Sequence, residues 1–372
     1  MTIFMASIPP TTPGARRPSA TQHSRWSRMH LVISNGHRGR TLAARWIRHL
    51  AACVLTAATF VAGTRELNAD PTLFVRNFNT SSNASQILRF DATTGASLGN
   101  FLVGYDGSYI SSFAFGPDKN LYIGRQFDGK IDRYHGTTGA FIDTFALTTG
   151  VTNLAFGPDG NLYAGRSSNG IDKFDGATGA SLGRFITPPN GLDVAGMTFR
   201  GSSLYVGYGA VSNGAFYRYD AASGSNAVLV SGSLYANGPR APSFDGAGSI
   251  YLPVWQTNKI FKYNETTLAL TGTITTAAGI SANSLAFDES GTMLLLSDNG
   301  SQSRINRYDP VTGAFIDVLV APGTGGLGRA TNMILVVPEP ATWAMAATAL
   351  GYGVWRLLRC RRTVDSSLAE RR

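Results

Sequence analysis

Cysteine is nearly missing from this chain of 372 residues, which contains two. Cys53 lies in an apolar run near the start and Cys360 in a basic cluster near the end, so residues 70–337 hold none. That long middle stretch needs no disulfide, and thiolate catalysis and cysteine-ligated metal are excluded from it. Histidine is almost as scarce there, with His135 alone, and glutamate is confined to Glu265 and Glu289. Charged residues make up only 15% of the chain, too few for a charged helical bundle. The net charge of +9 suggests a nucleic-acid partner until the charges are located. Residues 1–69 carry nine Arg against Glu66 alone, and residues 338–372 carry six Arg against three acidic groups. Residues 70–337 carry 17 Lys and Arg against 19 Asp and Glu. A nucleic-acid binder needs a basic face on its folded domain, and this stretch has no surplus for one.

What is abundant is glycine, 43 residues of it, and it falls in a repeat. One segment recurs as ILRFDATTGAS from Ile87, IDRYHGTTGAF from Ile131, IDKFDGATGAS from Ile171, FYRYDAASGS from Phe216, IFKYNETTLA from Ile260 and INRYDPVTGAF from Ile305. Its aromatic anchors, Phe90, Tyr134, Phe174, Tyr219, Tyr263 and Tyr308, are spaced by 44, 40, 45, 44 and 45 residues. A second segment lies between the copies, as FAFGPDKNLYIG from Phe113, LAFGPDGNLYAG from Leu154 and MTFRGSSLYVG from Met197, with weaker copies from Pro242 and Leu285. LAF and NLYxG alternate apolar and polar residues, as strands with one buried face do. Between them GPDG offers a fixed φ, a side chain that bonds its own backbone and a residue that tolerates positive φ. The D-x-x-T-G element joins the next two strands in the same way. Each period therefore predicts four strands, the content of one propeller blade.

The repeats also predict closure. GLGRATNMILVV from Gly326 matches only a first strand, and TLFVRNF from Thr72 only a second. Placing Leu73–Asn77 beside Ile334–Val337 completes one blade from the two ends and leaves no open edge. The expected fold is all-β, a six-bladed propeller of four-stranded blades over residues 70–337. The unit resembles NHL-like and streptogramin-lyase-like propeller repeats, a resemblance that implies the fold more than any function.

The flanks read differently. Residues 1–40 lack apolar periodicity and are expected to be an unstructured leader. Arg45, Arg48 and His49 then precede the apolar run LAACVLTAATFVAG, which ends before Ala69 as a secretory signal peptide does. Met29 is an alternative start, which would leave residues 1–28 outside the protein. At the far end, residues 338–362 combine Pro338-Glu339-Pro340, an apolar stretch over 341–358 and a basic cluster of Arg356, Arg359, Arg361 and Arg362. Eighteen helical residues reach about 27 Å, close to the hydrocarbon thickness of a bilayer. Basic residues beyond such a span keep that end in the cytoplasm. This order of parts resembles the PEP-CTERM family of sorting signals, which exosortase processes in bacteria that export polysaccharide. It implies export, a transient membrane anchor, an exosortase-type partner and release to the envelope or matrix. Residues 363–372 form a basic and polar tail.

Chemistry inside the repeats is sparse. His135 stands where its sister copies have Asp or Asn, so it is expected to be a turn residue. The lyase resemblance would call for catalytic histidines, and no second one is present. Lactonase-type propellers hold a divalent ion through a Glu with Asn and Asp partners, whereas Glu265 and Glu289 fall in turns here. Asp118, Asp159 and Asp245 each stand alone in a turn, without the dense spacing of a calcium loop. No metal or cofactor is expected. Arg125 and Arg166 follow the second strand of adjacent repeats and Arg76 sits comparably. They are candidate channel-facing contacts to an anionic sugar or carboxylate. The expected role is a non-catalytic binding or structural module with a polysaccharide or protein ligand. The alternative is a lyase or lactonase using the central channel.

Overall fold

The computed structural model describes residues 70–337, apart from 80–83, 104, 168–169, 189–191, 210–213, 233–237 and 278. The leader and signal segment, the PEP segment with Pro338, Glu339, Pro340, Arg356, Arg359, Arg361 and Arg362, and the tail lie outside the described residues. Among the described residues no helix is long and apolar enough to cross a membrane.

The strands follow the repeat. β1 (Thr72–Asn79), β2 (Ala84–Asp91) and β3 (Ser97–Asn100) come first, then β4 (Ser112–Phe115), β5 (Leu121–Arg125), β6 (Lys130–Tyr134) and β7 (Phe141–Leu147). The third repeat gives β8 (Val151–Phe156), β9 (Leu162–Arg166), β10 (Gly170–Phe174) and β11 (Ser181–Ile186). The fourth gives β12 (Asp193–Arg200), β13 (Ser203–Gly209), β14 (Ala215–Asp220) and β15 (Val228–Ser231). The fifth gives β16 (Ser243–Phe244), β17 (Ser249–Pro253), β18 (Lys259–Asn264) and β19 (Leu270–Thr275). The sixth gives β20 (Ser281–Phe287), β21 (Met293–Asp298), β22 (Ser303–Tyr308) and β23 (Phe315–Val320), before β24 (Arg329–Val336). They form six four-stranded antiparallel sheets, and β24 completes the first as β24-β1-β2-β3. Thr72 pairs with Val336 and Phe78 with Arg329, so the two ends of the ring share one sheet as the repeat count predicts.

The core lies between the blades. Six apolar clusters each draw side chains from two consecutive blades. Tyr163 and Ile171 of the third meet Val194 and Leu204 of the fourth, and Leu73 and Phe90 of the first meet Leu294 and Ile305 of the sixth. This corrects the expectation of one buried face for the NLYxG strand. β5 is buried at every residue because a blade in the ring is covered on both sides by its neighbours. Only the outermost strands are open, as the exposed Leu98, Phe141, Leu182, Leu270 and Phe315 show.

The turns are held as their residues suggest. Asp91 Oδ1 accepts from the Thr93 and Thr94 amides, and Asp175, Asp220, Asn264 and Asp309 repeat the arrangement. His135 substitutes for Asp, its Nδ1 accepting from the Thr137 and Thr138 amides at 3.2 Å each. Asp118 and Asp159 accept from the amides of Asn120 and Asn161 and from the buried Tyr122 and Tyr163 hydroxyls, both at 2.9 Å. Glu265, expected only as a turn residue, has a partner as well. It accepts a hydrogen bond from Arg200 of the preceding blade at 3.2 Å.

Candidate functional site

One extra residue on one strand of an antiparallel ladder bends that strand and re-aims a side chain. Four of the six inner strands carry such a residue at the same place. Thr152 in β8, Ala195 in β12, Asn283 in β20 and Thr331 in β24 each stand opposite a skip in the pairing. Each lies four residues before Phe156, Phe199, Phe287 or Leu335, and Ser111 and Arg240 stand equally far ahead of Phe115 and Phe244. These six residues, one per blade, line a single central cavity of about 440 Å³. A second tier comes from the following strand of four blades. Phe78, Gln126, Trp255 and Asp298 each lie five residues after Leu73, Leu121, Ile250 or Met293, and all four line the same cavity.

The three arginines expected to act together are separated by a one-residue offset. Arg76 pairs across its sheet with Ile87, whereas the residue pairing with the sister Ile131 is Gly124, not Arg125. One step along a strand turns a side chain to the opposite face. Arg76 therefore reaches the cavity, where it donates to Thr331 and stacks 4.8 Å from the centre of the Tyr109 ring. Arg125 is instead engaged by Asp128 at 2.6 Å, Asp106 at 2.8 Å and Asp132 at 3.0 Å. Burial opposes the charge on Asp106, but hydrogen bonds from the Ser108 amide and hydroxyl and from Arg125 outweigh it and pull the carboxyl down to about 2. Arg166 bonds Asp172 at 2.8 Å and the carbonyl and hydroxyl of Thr149.

Two cationic lining residues, Arg240 and Arg329, escaped sequence reasoning. Arg240 lies 4.7 Å from the centre of the Trp255 ring. Burial, and then the like charge of Arg76, push its guanidinium down to about 10, so it remains a cation at neutral pH. The Nε–H groups of both Arg76 and Arg240 are buried without a hydrogen-bond partner, as are the side-chain oxygens of Asn153 and Asn283. Leaving such a group unpaired typically costs about 1–3 kcal/mol. Asp298 is the one carboxylate among the lining residues, and it accepts from the Ser303 hydroxyl and the Gly300 amide. The cavity is thus locally positive inside a slightly negative body. A signal for these residues exists in the repeats. The column occupied by Ser111, Thr152, Ala195, Arg240, Asn283 and Thr331 changes chemistry from copy to copy, while the aromatic or apolar residue four positions on stays nearly fixed.

No family model and no curated protein sequence matches the chain. Solved structures of similar fold exist. A chain from the crystal structure of a nidogen/laminin complex is 14% identical, with a TM-score of 0.57 over 72% of this chain and 98% of that one. A protein of unknown function from Bacteroides caccae is 12% identical, with a TM-score of 0.50 over 72% of this chain and 99% of its own. At such identities the likeness establishes the propeller fold alone.

Proposed function

We propose that the chain is an exported, non-catalytic β-propeller of the cell envelope or extracellular matrix, binding a ligand through its central cavity. The observation that carries this reading is the lining itself. Six equivalent positions, one from each blade, line one space of about 440 Å³, and five of them place a hydroxyl, amide or guanidinium side chain there. That volume lies within the range of ordinary ligand pockets. Nucleophilic or acid–base catalysis calls for a reactive group poised beside a second one. The single lining carboxylate, Asp298, is engaged by the hydroxyl and amide that orient it. The similarity to a chain solved within a nidogen/laminin complex agrees with a propeller used to hold a partner.

Export and sorting rest on the flanking sequence. The run before Ala69 serves as signal peptide, and the segment from Pro338 acts as a PEP-CTERM-type signal that anchors the chain until an exosortase-type enzyme releases it. The two prolines lack amide hydrogens and bias the chain away from helix, holding an extended stretch outside the membrane. Intact-mass measurement of envelope and secreted fractions tests this. The native protein should end near Pro338-Glu339-Pro340, and replacing all three by Ala should leave it full length and membrane-bound. Retention of residues 341–362 in every native fraction would remove the sorting role. Incubating the full chain with lactones and polyuronides tests the other half, since turnover would make the propeller an enzyme.

A further inference from the structure

The least satisfied charges in the cavity are the two stacked guanidiniums. Arg76 lies on Tyr109 and Arg240 on Trp255, and stacking holds each planar fork in a fixed orientation. Among the described residues neither has a carboxylate partner, and both keep a buried Nε–H unpaired. Arg76 is only 7% exposed, so water compensates its charge poorly. The two cations stand near enough for the charge on Arg76 to disfavour that on Arg240. An anion seated between them removes the repulsion and offers an acceptor to their terminal N–H groups.

The rest of the lining narrows the anion. Thr152, Ser284, Asn332 and Gln126 line the same space, and the Thr152 and Ser284 hydroxyls spend their protons on the Val194 and Met333 carbonyls, which leaves them as acceptors. The complementary ligand therefore brings hydroxyl donors as well as an oxyanion. Sulfate brings acceptors only and hydrogen phosphate a single donor, whereas a sugar acid brings several hydroxyl donors beside its carboxylate. Beside the cavity, Phe127 is 76% exposed, and its ring lies 5.2 Å from that of Tyr109. A large exposed aromatic next to a hydroxyl-lined site offers an apolar platform to the C–H face of a sugar ring.

We infer that the central cavity binds an acidic saccharide, its carboxylate between Arg76 and Arg240 and a sugar ring on Phe127. The inference rests on reading the cavity as a ligand site and adds the class of ligand. Calorimetric titration of the full chain with trigalacturonate, its methyl ester and inorganic phosphate tests it. The acid should bind at least about tenfold more tightly than the ester, and its affinity should weaken as salt rises. Arg240→Gln should abolish that preference. Phe127→Ala, a surface change that leaves the fold intact, should weaken both trisaccharides several-fold and leave any phosphate binding unchanged. The comparison of acid with ester uses the unaltered protein, so the test stands even if Arg240→Gln fails to fold. Equal binding of acid and ester, or binding of neither, would overturn the inference. The broader binding role fails only if glycan and protein screens are empty as well. Phosphate binding as tight as the acid's would overturn the saccharide assignment. Cleavage of the bound trisaccharide would support the site and overturn the non-catalytic role.

Discussion

Lys119 occupies the turn position that glycine fills in the next repeat, with φ at 64° against 76° for Gly160. A left-handed conformation costs a side-chain-bearing residue roughly 1–2 kcal/mol, and the exposed Lys119 side chain gains nothing in return. Lys119→Gly should therefore stabilise the propeller by about 0.5–1 kcal/mol once the added freedom of the unfolded chain is counted, visible as a raised denaturant midpoint. Leu268 makes the opposite comparison. Its φ is 59° where the sister turns have glycine, but its side chain packs against the apolar cluster around Tyr263. Leu268→Gly should give no gain, because lost burial offsets relieved strain. The turn carboxylates contribute to the acid response beside Asp106. The Thr178 hydroxyl lowers Asp175, the Ser223 hydroxyl lowers Asp220 and the Thr312 amide lowers Asp309. Each folded value lies below the unfolded one of about 3.9. Their stabilisation is therefore complete above that pH and is lost as the pH falls through the folded values. The melting temperature should hold from pH 8 to about 5 and fall between about pH 4 and 2. Changing all three to Asn, the residue already present at Asn264, should flatten that fall. An undiminished acid transition in the triple variant would place the sensitivity elsewhere.

At the level of the strand, most of the architecture could be read before any coordinates. The aromatic anchors, the D-x-x-T-G turns and the half-repeats at each end specify six blades and the pairing of β1 with β24. What escaped had a physical cause in each case. Burial on both faces follows from neighbouring blades, which no single strand's pattern records. Arg76 and Arg125 look equivalent in sequence because both belong to a Leu-led strand, yet one position of register separates a cavity contact from a buried ion network. The extra residues at Thr152, Ala195, Asn283 and Thr331 are mismatches between paired strands, invisible until the ladder is drawn. The closing strand makes a direct prediction. A chain ending at 337 should melt cooperatively, while one ending at 323 loses β24 and leaves β1 as an open edge beside an uncovered cluster of Leu73, Val75 and Leu296. That shorter chain should aggregate or melt without a cooperative transition in scanning calorimetry.

For the molecule as a whole, stability is shared by six similar interfaces, and neither disulfide nor metal is needed to explain it. Reducing agent should leave the melting temperature of the propeller unchanged, and DNA should show no salt-sensitive gel shift with residues 70–337, whose charges nearly balance. A shift at moderate ionic strength would reveal a basic surface that the charge distribution does not provide. The extra residue on the inner strands has a consequence of another kind. The ladder on either side sets its backbone, so the fold asks little of the side chain placed there. Threonine, alanine and asparagine occupy it in β8, β12, β20 and β24, and serine and arginine stand at the equivalent place in the other two blades. A lineage that inherits such a ring can revise the lining of its cavity one blade at a time, as a lock is rekeyed pin by pin, while the barrel that holds the pins stays the same.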